Sequence, residues 1–347
     1  MKEKEKIRGK GLFFAKSKKF HVLLNIILII IIAITTIMII IYHVEKYRYN
    51  SDITITHDKI GSYKYTNPIL DCESNNFTSN GFAVSENEIS DKVKEIQDKY
   101  GLDNISLYFR DLNDGPWVGV GENEFFSPAS LLKVPILIEL LHESESNPAI
   151  LDKIIEITPS DINPNISQNI KPEKPLEVGV KYSMLDIARS MIEESDNTAV
   201  LTILNNIKKD DVGDVFKSVG VPFEDTSKEV NVNVKEYAGF FRILFNSSYL
   251  SRDMSEKALE ILSKSEYNDG IVAGVPKNIV VSHKFGERNI EGETNSSQLH
   301  DCGIVYYPGR PYIICIMTRG NNYANQGNSI KELSSYVYNK VDKFHKK

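Results

Sequence analysis

The longest uninterrupted apolar run lies near the start of the chain. Residues 22–42 carry no charge and are rich in Ile and Leu. At about 1.5 Å per residue a helix of this length spans a hydrocarbon core of roughly 30 Å. Further on, the spacing of Ile89, Val93, Ile96 and Tyr100 predicts a helix over 88–100. Ile105, Leu107 and Phe109 alternate over 104–110 as in a half-buried strand. The turn Asn113-Asp114-Gly115-Pro116 follows, then a second strand over 117–120. An apolar helix begins near Ser130 and runs to about Leu141, and residues 146 to about 268 read as mostly helical with polar loops. A Pro-rich stretch with Pro159, Pro164, Pro172 and Pro175 interrupts them. Strand patterns return at 279–285, 300–307 and 312–318, and a helix with Ile330, Leu333, Tyr336, Val337 and Val341 on one face closes the chain. Strands come first and last with helices between them. The expected fold is therefore α/β (α+β), an antiparallel sheet lobe flanked by helices with an all-helical lobe inserted at about 146–268.

Charge changes the picture at the N-terminus. Residues 1–20 hold eight Lys and Arg, whereas 43–60 hold three, Lys46, Arg48 and Lys59. Positive flanks stay in the cytoplasm. The expected organisation is a basic cytoplasmic segment over 1–20, a single transmembrane anchor over 21–43, a polar flexible stalk over 44–86 and an extracytoplasmic domain over 87–347. A cleaved signal peptide has a shorter apolar region followed by small residues. Here His43-Val44-Glu45-Lys46 follows instead, which favours an anchor. Elsewhere composition is that of an ordinary folded protein, with 41% hydrophobic and 25% charged residues and a net charge of −6 that gives no case for nucleic acid. Three cysteines are too few for a disulfide framework. Cys302 and Cys315 flank the turn Pro308-Gly309-Arg310-Pro311 and could lie near each other, with two core residues of adjacent strands the plainer reading. No His, Cys and carboxylate spacing suggests zinc, and no cofactor is expected.

Ser130 has a lysine three residues on, Lys133, in Ser127-Pro128-Ala129-Ser130-Leu131-Leu132-Lys133. Residues i and i+3 of a helix share a face, which sets the amine beside the hydroxyl. A serine needs a base to become a nucleophile, and a lysine kept neutral by its surroundings is one. Ser195-Asp196-Asn197 and His283-Lys284-Phe285-Gly286 follow in that order.

The set Ser-x-x-Lys, Ser-Asp-Asn, Lys-x-Gly resembles the signature of class A β-lactamases and penicillin-binding proteins, over roughly residues 88–347. Tyr182-Ser183-Met184-Leu185-Asp186-Ile187-Ala188 and His300-Asp301-Cys302-Gly303-Ile304-Val305-Tyr306 strengthen the likeness. The resemblance implies a β-lactamase-like fold and acylation of Ser130 by a small-molecule β-lactam or a peptidoglycan peptide, with hydrolysis of the acyl-enzyme. It implies that Lys133 accepts the serine proton and that Ser195 relays it to the leaving nitrogen, bridging Lys133 and Lys284. Asn197 would bind the substrate's acyl-amide group, and Lys284 its carboxylate. Gly286 would let substrate approach the strand, and Phe285 would line the substrate site. The oxyanion hole would use the backbone N–H groups of Ser130 and Glu287. Asp196 reads as structural, and a triad through His283 or His300 is rejected because Lys133 already supplies the base.

Two departures stand out. Phe285 replaces the hydroxyl residue usual between the Lys and Gly, so carboxylate recognition is weakened or comes from elsewhere, with Arg288 a candidate. The Glu-x-x-Leu-Asn that activates the deacylating water in class A enzymes is missing. Around Asn231 the chain reads Glu229-Val230-Asn231-Val232-Asn233, and Glu224 and Glu229 are the available substitutes. That leaves a D,D-peptidase or a non-hydrolytic penicillin-binding sensor as rival readings.

Overall fold

The computed structural model describes residues 25, 28–29, 32–39, 63–67 and 85–346, except 114, 163–167, 209–210, 224–229 and 290–296. The chain divides into two units, one of residues 1–56 with 78–80 and one of residues 57–77 with 81–347. In the first, residues 32–39 are helical with exposed Ile and Met side chains. Among the described residues no helix is long and apolar enough to cross a membrane. Most of the expected anchor over 21–43, and all of the basic segment over 1–20, lie outside the described residues.

The second unit begins its regular structure with α1 (Glu86–Tyr100). Ser85 caps it by accepting the N–H of Glu88, and Gly101 ends it at a φ of 61°, a left-handed conformation that costs glycine little. Ile89, Val93 and Ile96 share one buried face. Burying each contributes about 1.5–3 kcal/mol. β1 (Asn104–Asp111) and β2 (Trp117–Val120) form a hairpin. A short 3₁₀ turn, Ala129–Leu132, leads into α2 (Lys133–Ser146). The helical lobe continues with α3 (Ala149–Asp152), α4 (Met184–Glu193), α5 (Asn197–Leu204), α6 (Val212–Ser218), α7 (Val234–Phe245) and α8 (Arg252–Leu262). A small hairpin, β3 (Ile154–Glu156) with β4 (Lys181–Ser183), lies within that lobe. Strands of three residues leave too little alternation to be read in the sequence.

The chain then returns as β5 (Val281–Asn289), β6 (Ser297–Val305), β7 (Tyr312–Gly320) and α9 (Tyr323–His345). The five strands are antiparallel in the order β2-β1-β7-β6-β5, which makes β5 an edge strand. Residues alternate across the sheet, so it carries two cores. One includes Ile89, Phe109, Phe285 and Leu333 beneath α1 and α9. The other includes Tyr108, Leu137, Ile192, Phe241 and Met317 on the helical-lobe side. The expected antiparallel sheet with helices before, within and after it is what the structure shows. α9 begins seven residues before Ile330, the first residue of the expected apolar face, because Asn322 caps it by accepting the N–H of Asn325.

Two local features extend or depart from expectation. Cys302 and Cys315 are direct cross-strand partners, and a disulfide joins them. The two are core residues of adjacent strands as expected, and their shared register goes further by bringing the sulfurs into a bond. Residues 63–67, inside the segment read as a flexible stalk, are docked on the domain. The Glu256 carboxylate of α8 accepts the backbone N–H groups of Lys64, Tyr65 and Thr66, the last two at 2.8 Å. Asn67 donates to the carbonyl of Phe245 at 2.7 Å, and the buried Tyr65 ring meets Tyr306 edge-on. Three backbone donors and an apolar ring are what a polar composition conceals. Glu256→Ala should cost about 1–3 kcal/mol in urea unfolding, because it strands the N–H groups of the buried residues Tyr65 and Thr66. The same substitution should speed proteolysis ahead of Glu86, and an unchanged cleavage rate would show that the docking contributes nothing.

Candidate active site

The residues of the three motifs converge where the helical lobe meets the edge strand β5. Ser130 sits in the 3₁₀ turn at the head of α2 and is half-buried. Ala129, just before it, has a φ of 49°, a conformation a non-glycine residue adopts only when its surroundings impose it. Those surroundings are visible. Phe126 pairs with Val232 through two backbone hydrogen bonds, and the Tyr237 hydroxyl of α7 donates to the Leu131 carbonyl at 2.8 Å. From the other side β5 presses against the turn. A Cβ at Gly286 would stand 2.7 Å from the Pro128 carbonyl oxygen and 3.1 Å from the Leu131 nitrogen. Gly286 is thus required by the approach of the serine turn itself. That is a second reason for a glycine here, beside the expected approach of substrate.

Lys133 opens α2 and is only 3% exposed. Its Nζ donates to the Ser195 carbonyl at 2.6 Å, the Asn197 Oδ1 at 2.8 Å and the Ser195 Oγ at 3.1 Å. An ammonium has three protons, and these three acceptors take all of them. Burial pushes the Lys133 amine down to about 7, against the opposing pull of the Asp196 and Glu287 charges. When the amine is neutral, two protons suffice for the carbonyl and amide oxygens, which can only accept. Its lone pair is then available to a hydroxyl.

Ser195 is fully buried at a φ of 58°, and its Oγ also accepts from Lys284 Nζ at 2.9 Å. Lys284 is fully buried on β5, and burial followed by the charge of Lys133 pushes it well below the ordinary lysine range. The bridge of Lys133 and Lys284 through Ser195 is the arrangement expected from the sequence. Asp196 caps α5 through Thr198 N at 2.7 Å and takes the Leu176 N–H at 2.7 Å on its other oxygen. Its work is structural.

Three placements depart from expectation or were not foreseen. Phe285 is 3% exposed and stacks on Tyr267 at 4.2 Å in the rear core, so it does not line the substrate site. Gly286 faces the Ser130 turn and Phe285 joins the core beneath α1 and α9, with the Lys284 Nζ 4.1 Å from the Phe285 ring centroid. Arg288, the candidate for carboxylate recognition, donates to Ser127 Oγ at 2.6 Å. Gln168 was not singled out. Its side-chain amide donates at 3.0 Å to the same Ser195 carbonyl that Lys133 uses, and the next two N–H groups, of Asn169 and Ile170, donate to the Glu287 carboxylate. No sequence pattern marks Gln168, because its role depends on where the Pro-rich loop lands.

The histidines serve the scaffold. His300 Nδ1 faces the N–H of Thr318 at 3.3 Å, so its Nε2–H donates to the Ser127 carbonyl at 3.0 Å, and burial lowers it to about 4. His283 pairs with Asp301 at 2.8 Å, and Asp301 also takes the N–H of Ile271 in the rear core. Glu224 and Glu229 lie outside the described residues. Among the described residues no group of three or more His, Cys, Asp or Glu is placed to hold a metal ion.

A buried hydroxyl shared by two buried lysines, in a chain whose Ser-x-x-Lys serine lies in the turn that opens a helix, on this fold, defines a β-lactamase-like serine hydrolase. The chain belongs to the beta-lactamase enzyme family, whose family model matches residues 88–341. It is 25% identical over 204 residues to Beta-lactamase VEB-1 of Pseudomonas aeruginosa, covering 54% of this chain and 67% of that protein. The fold is shared with the solved structure of PBP-A, at a TM-score of 0.61 and 21% identity over 74% of this chain and 96% of that one. A class A beta-lactamase from Mycobacterium abscessus superposes at a TM-score of 0.62 with 19% identity, over 73% and 99% of the two chains.

The Lys133 amine should titrate near pH 7, neutral above and charged below, when its Nζ is followed by heteronuclear NMR. Asp196→Asn keeps the cap and removes a charge that favours the ammonium, so the midpoint should move down. An upward shift, or a midpoint near 10, would show that burial does not govern this amine.

Proposed function

We propose that Ser130 is the nucleophile of an acyl-transfer reaction on β-lactams or D-Ala-D-Ala-like amides. Neutral Lys133 accepts the proton of Ser130 as its Oγ attacks the carbonyl carbon. The bond to the leaving nitrogen then breaks, and that nitrogen receives a proton from Ser195, whose hydroxyl is replenished through Lys133. Lys284 holds Ser195 in place. The oxyanion that forms is met by the backbone N–H groups of Ser130 and Glu287, each worth about 2.7–4 kcal/mol of barrier. Asn197 binds the acyl-amide group. The observation that carries the reading is the Ser195 hydroxyl, 3.1 Å and 2.9 Å from two lysines that are each nearly or fully buried.

Water then hydrolyses the ester at a rate set by whichever group replaces the missing Glu-x-x-Leu-Asn. A missing general base costs about 10²–10⁴ in rate. That absence favours slow turnover, as in a D,D-peptidase or a penicillin-binding sensor. After brief exposure to a fluorescent penicillin, intact-mass spectra should show mostly adduct, and Ser130→Ala should show none. Label retained in that variant would end the assignment of the nucleophile. Rapid turnover with no adduct would end the slow-deacylation reading.

We also propose that residues 21–43 anchor the chain in the cell membrane as a single span, with the catalytic domain outside the cytoplasm. The supports are the charge-free run over 22–42 and the eight basic residues ahead of it against three after it. Protease added to intact spheroplasts should therefore release the domain, whereas protection until lysis would mean the opposite orientation.

A further inference from the structure

A groove between β1 and α7 gathers three cations. The two-residue period of β1 sets Tyr108 and Arg110 on the same face, the one towards the helical lobe. On α7, Lys235, Gly239 and Arg242 recur at helical spacing and share a face. The two elements meet across a cavity of about 310 Å³ lined by Arg110, Lys235 and Arg242, and a second cavity of about 170 Å³ shares both arginines. Between the cations the lining is small, with Val219, Ala238 and Gly239.

Among the described residues none of the three cations has a carboxylate partner. Arg110 donates to the Tyr108 hydroxyl at 3.5 Å, and the Lys235 Nζ lies 4.3 Å from the centroid of the Trp117 ring. The acidic side chains of the lining are engaged elsewhere. Glu236 accepts the N–H of Asn233 in the α7 cap at 3.2 Å. Asp111 faces Arg310 at 3.6 Å and accepts the N–H of Asn113 at 2.8 Å. Like charges gathered in one groove repel each other, and an anion between them removes that cost. A clustering of this kind is not what a chain of net charge −6 leads one to expect.

The lining also describes the ligand. Guanidinium groups suit the paired oxygens of a carboxylate or a phosphate. Asparagine amides, which pair with hydroxyls, stand on both sides of the arginines, Asn123 in the larger cavity and Asn113 and Asn246 in the smaller. Trp117, the only tryptophan of the chain, is 41% exposed beside the groove. None of the three motifs contributes a residue to the lining, so this site stands or falls independently of Ser130.

We propose that the groove is a second binding site, which takes the oxyanion, carboxylate or phosphate, of a hydroxylated ligand such as an acidic sugar. Arg110 and Arg242 hold the oxyanion, Lys235 adds its charge, and the asparagine amides meet the hydroxyls.

Glucose, glucuronic acid and glucose 6-phosphate carry one ring with no charge, a carboxylate and a phosphate. Full-length protein in detergent is titrated with each, and with inorganic phosphate, at constant ionic strength. Trp117 fluorescence reports binding, because an anion that draws on Lys235 alters the charge over the ring. Calorimetry on the same titrations covers an anion that leaves the fluorescence unchanged. At least one anionic sugar should bind at least about tenfold tighter than both glucose and inorganic phosphate, and the tighter of the two names the oxyanion. Arg110→Gln and Arg242→Gln should each weaken that binding by at least about tenfold while the urea midpoint stays in place. The order of ligands in the unaltered protein tests the proposal alone should a variant fail to fold. Glucose or phosphate binding as tightly as the anionic sugars overturns it, as does an affinity that neither variant lowers, or no binding at all. Asn67 donates to Asn246 at one end of the groove, and Asp71 and Glu73 follow it in the sequence. Binding that emerges only in the double variant Asp71→Asn, Glu73→Gln would make that acidic stretch the occupant and overturn the proposal as well.

Discussion

The site depends on two cationic side chains sharing one hydroxyl. Lys133 comes from the helical lobe and Lys284 from the edge of the sheet, and both reach Ser195. Water is nearly absent there, so neither amine can hold its proton as it would in solution. The two charges also oppose each other, since Lys133 helps to lower Lys284. The cluster therefore stores less positive charge than two lysines suggest, and a proton can move through it at neutral pH. Loss of either amine would leave Ser195 with one fixed partner and leave the strained 195 backbone without one of its reasons to exist.

Much of the surrounding fold can be understood as the means of holding that contact. The strand carrying Lys284 lies against the turn carrying Ser130 because residue 286 has no side chain. The turn is braced by Tyr237 from α7, by the Phe126–Val232 bridge and by His300, which engages the Ser127 carbonyl. Asp196 fixes the start of α5 and ties it to Leu176, so the loop bearing Ser195 is held from two sides. Positive φ at Ala129 and Ser195 is thus imposed by neighbours on every side, which is how a strained backbone persists.

The catalytic cluster was legible because its chemistry demands particular residue types in a fixed order, and helix and strand periods then set their directions. Ser130, Lys133, Ser195 and Lys284 needed only that. Alternation along β5 was equally available, and applied strictly it assigns Phe285 to the face opposite Lys284. The resemblance drew Phe285 into the site, and the two-residue period of the strand takes it out. Other features were hidden for a different reason. Glu256 gathers backbone donors from a segment 190 and 191 positions away, and backbone groups leave no mark on composition. The Cys302–Cys315 pairing needed the register of β6 on β7, which the positions of strand ends do not determine.

Gln168 and Glu287 show what such hidden contacts do to function. A side-chain motif describes what converges on the reacting atoms, and here that convergence resembles many relatives. The strap 168–170 and the carboxylate that receives it are set by loop placement, which no side-chain motif records. Contacts of this kind can therefore diverge while Ser-x-x-Lys, Ser-Asp-Asn and Lys-x-Gly all remain in place. The hydroxyl that would welcome an anion has become an aromatic ring packed in the core, and a carboxylate stands one residue beyond the glycine. Both residues bear on the lysine pair, Phe285 with its ring centroid 4.1 Å from the Lys284 Nζ and Glu287 through a charge that favours both ammonium forms.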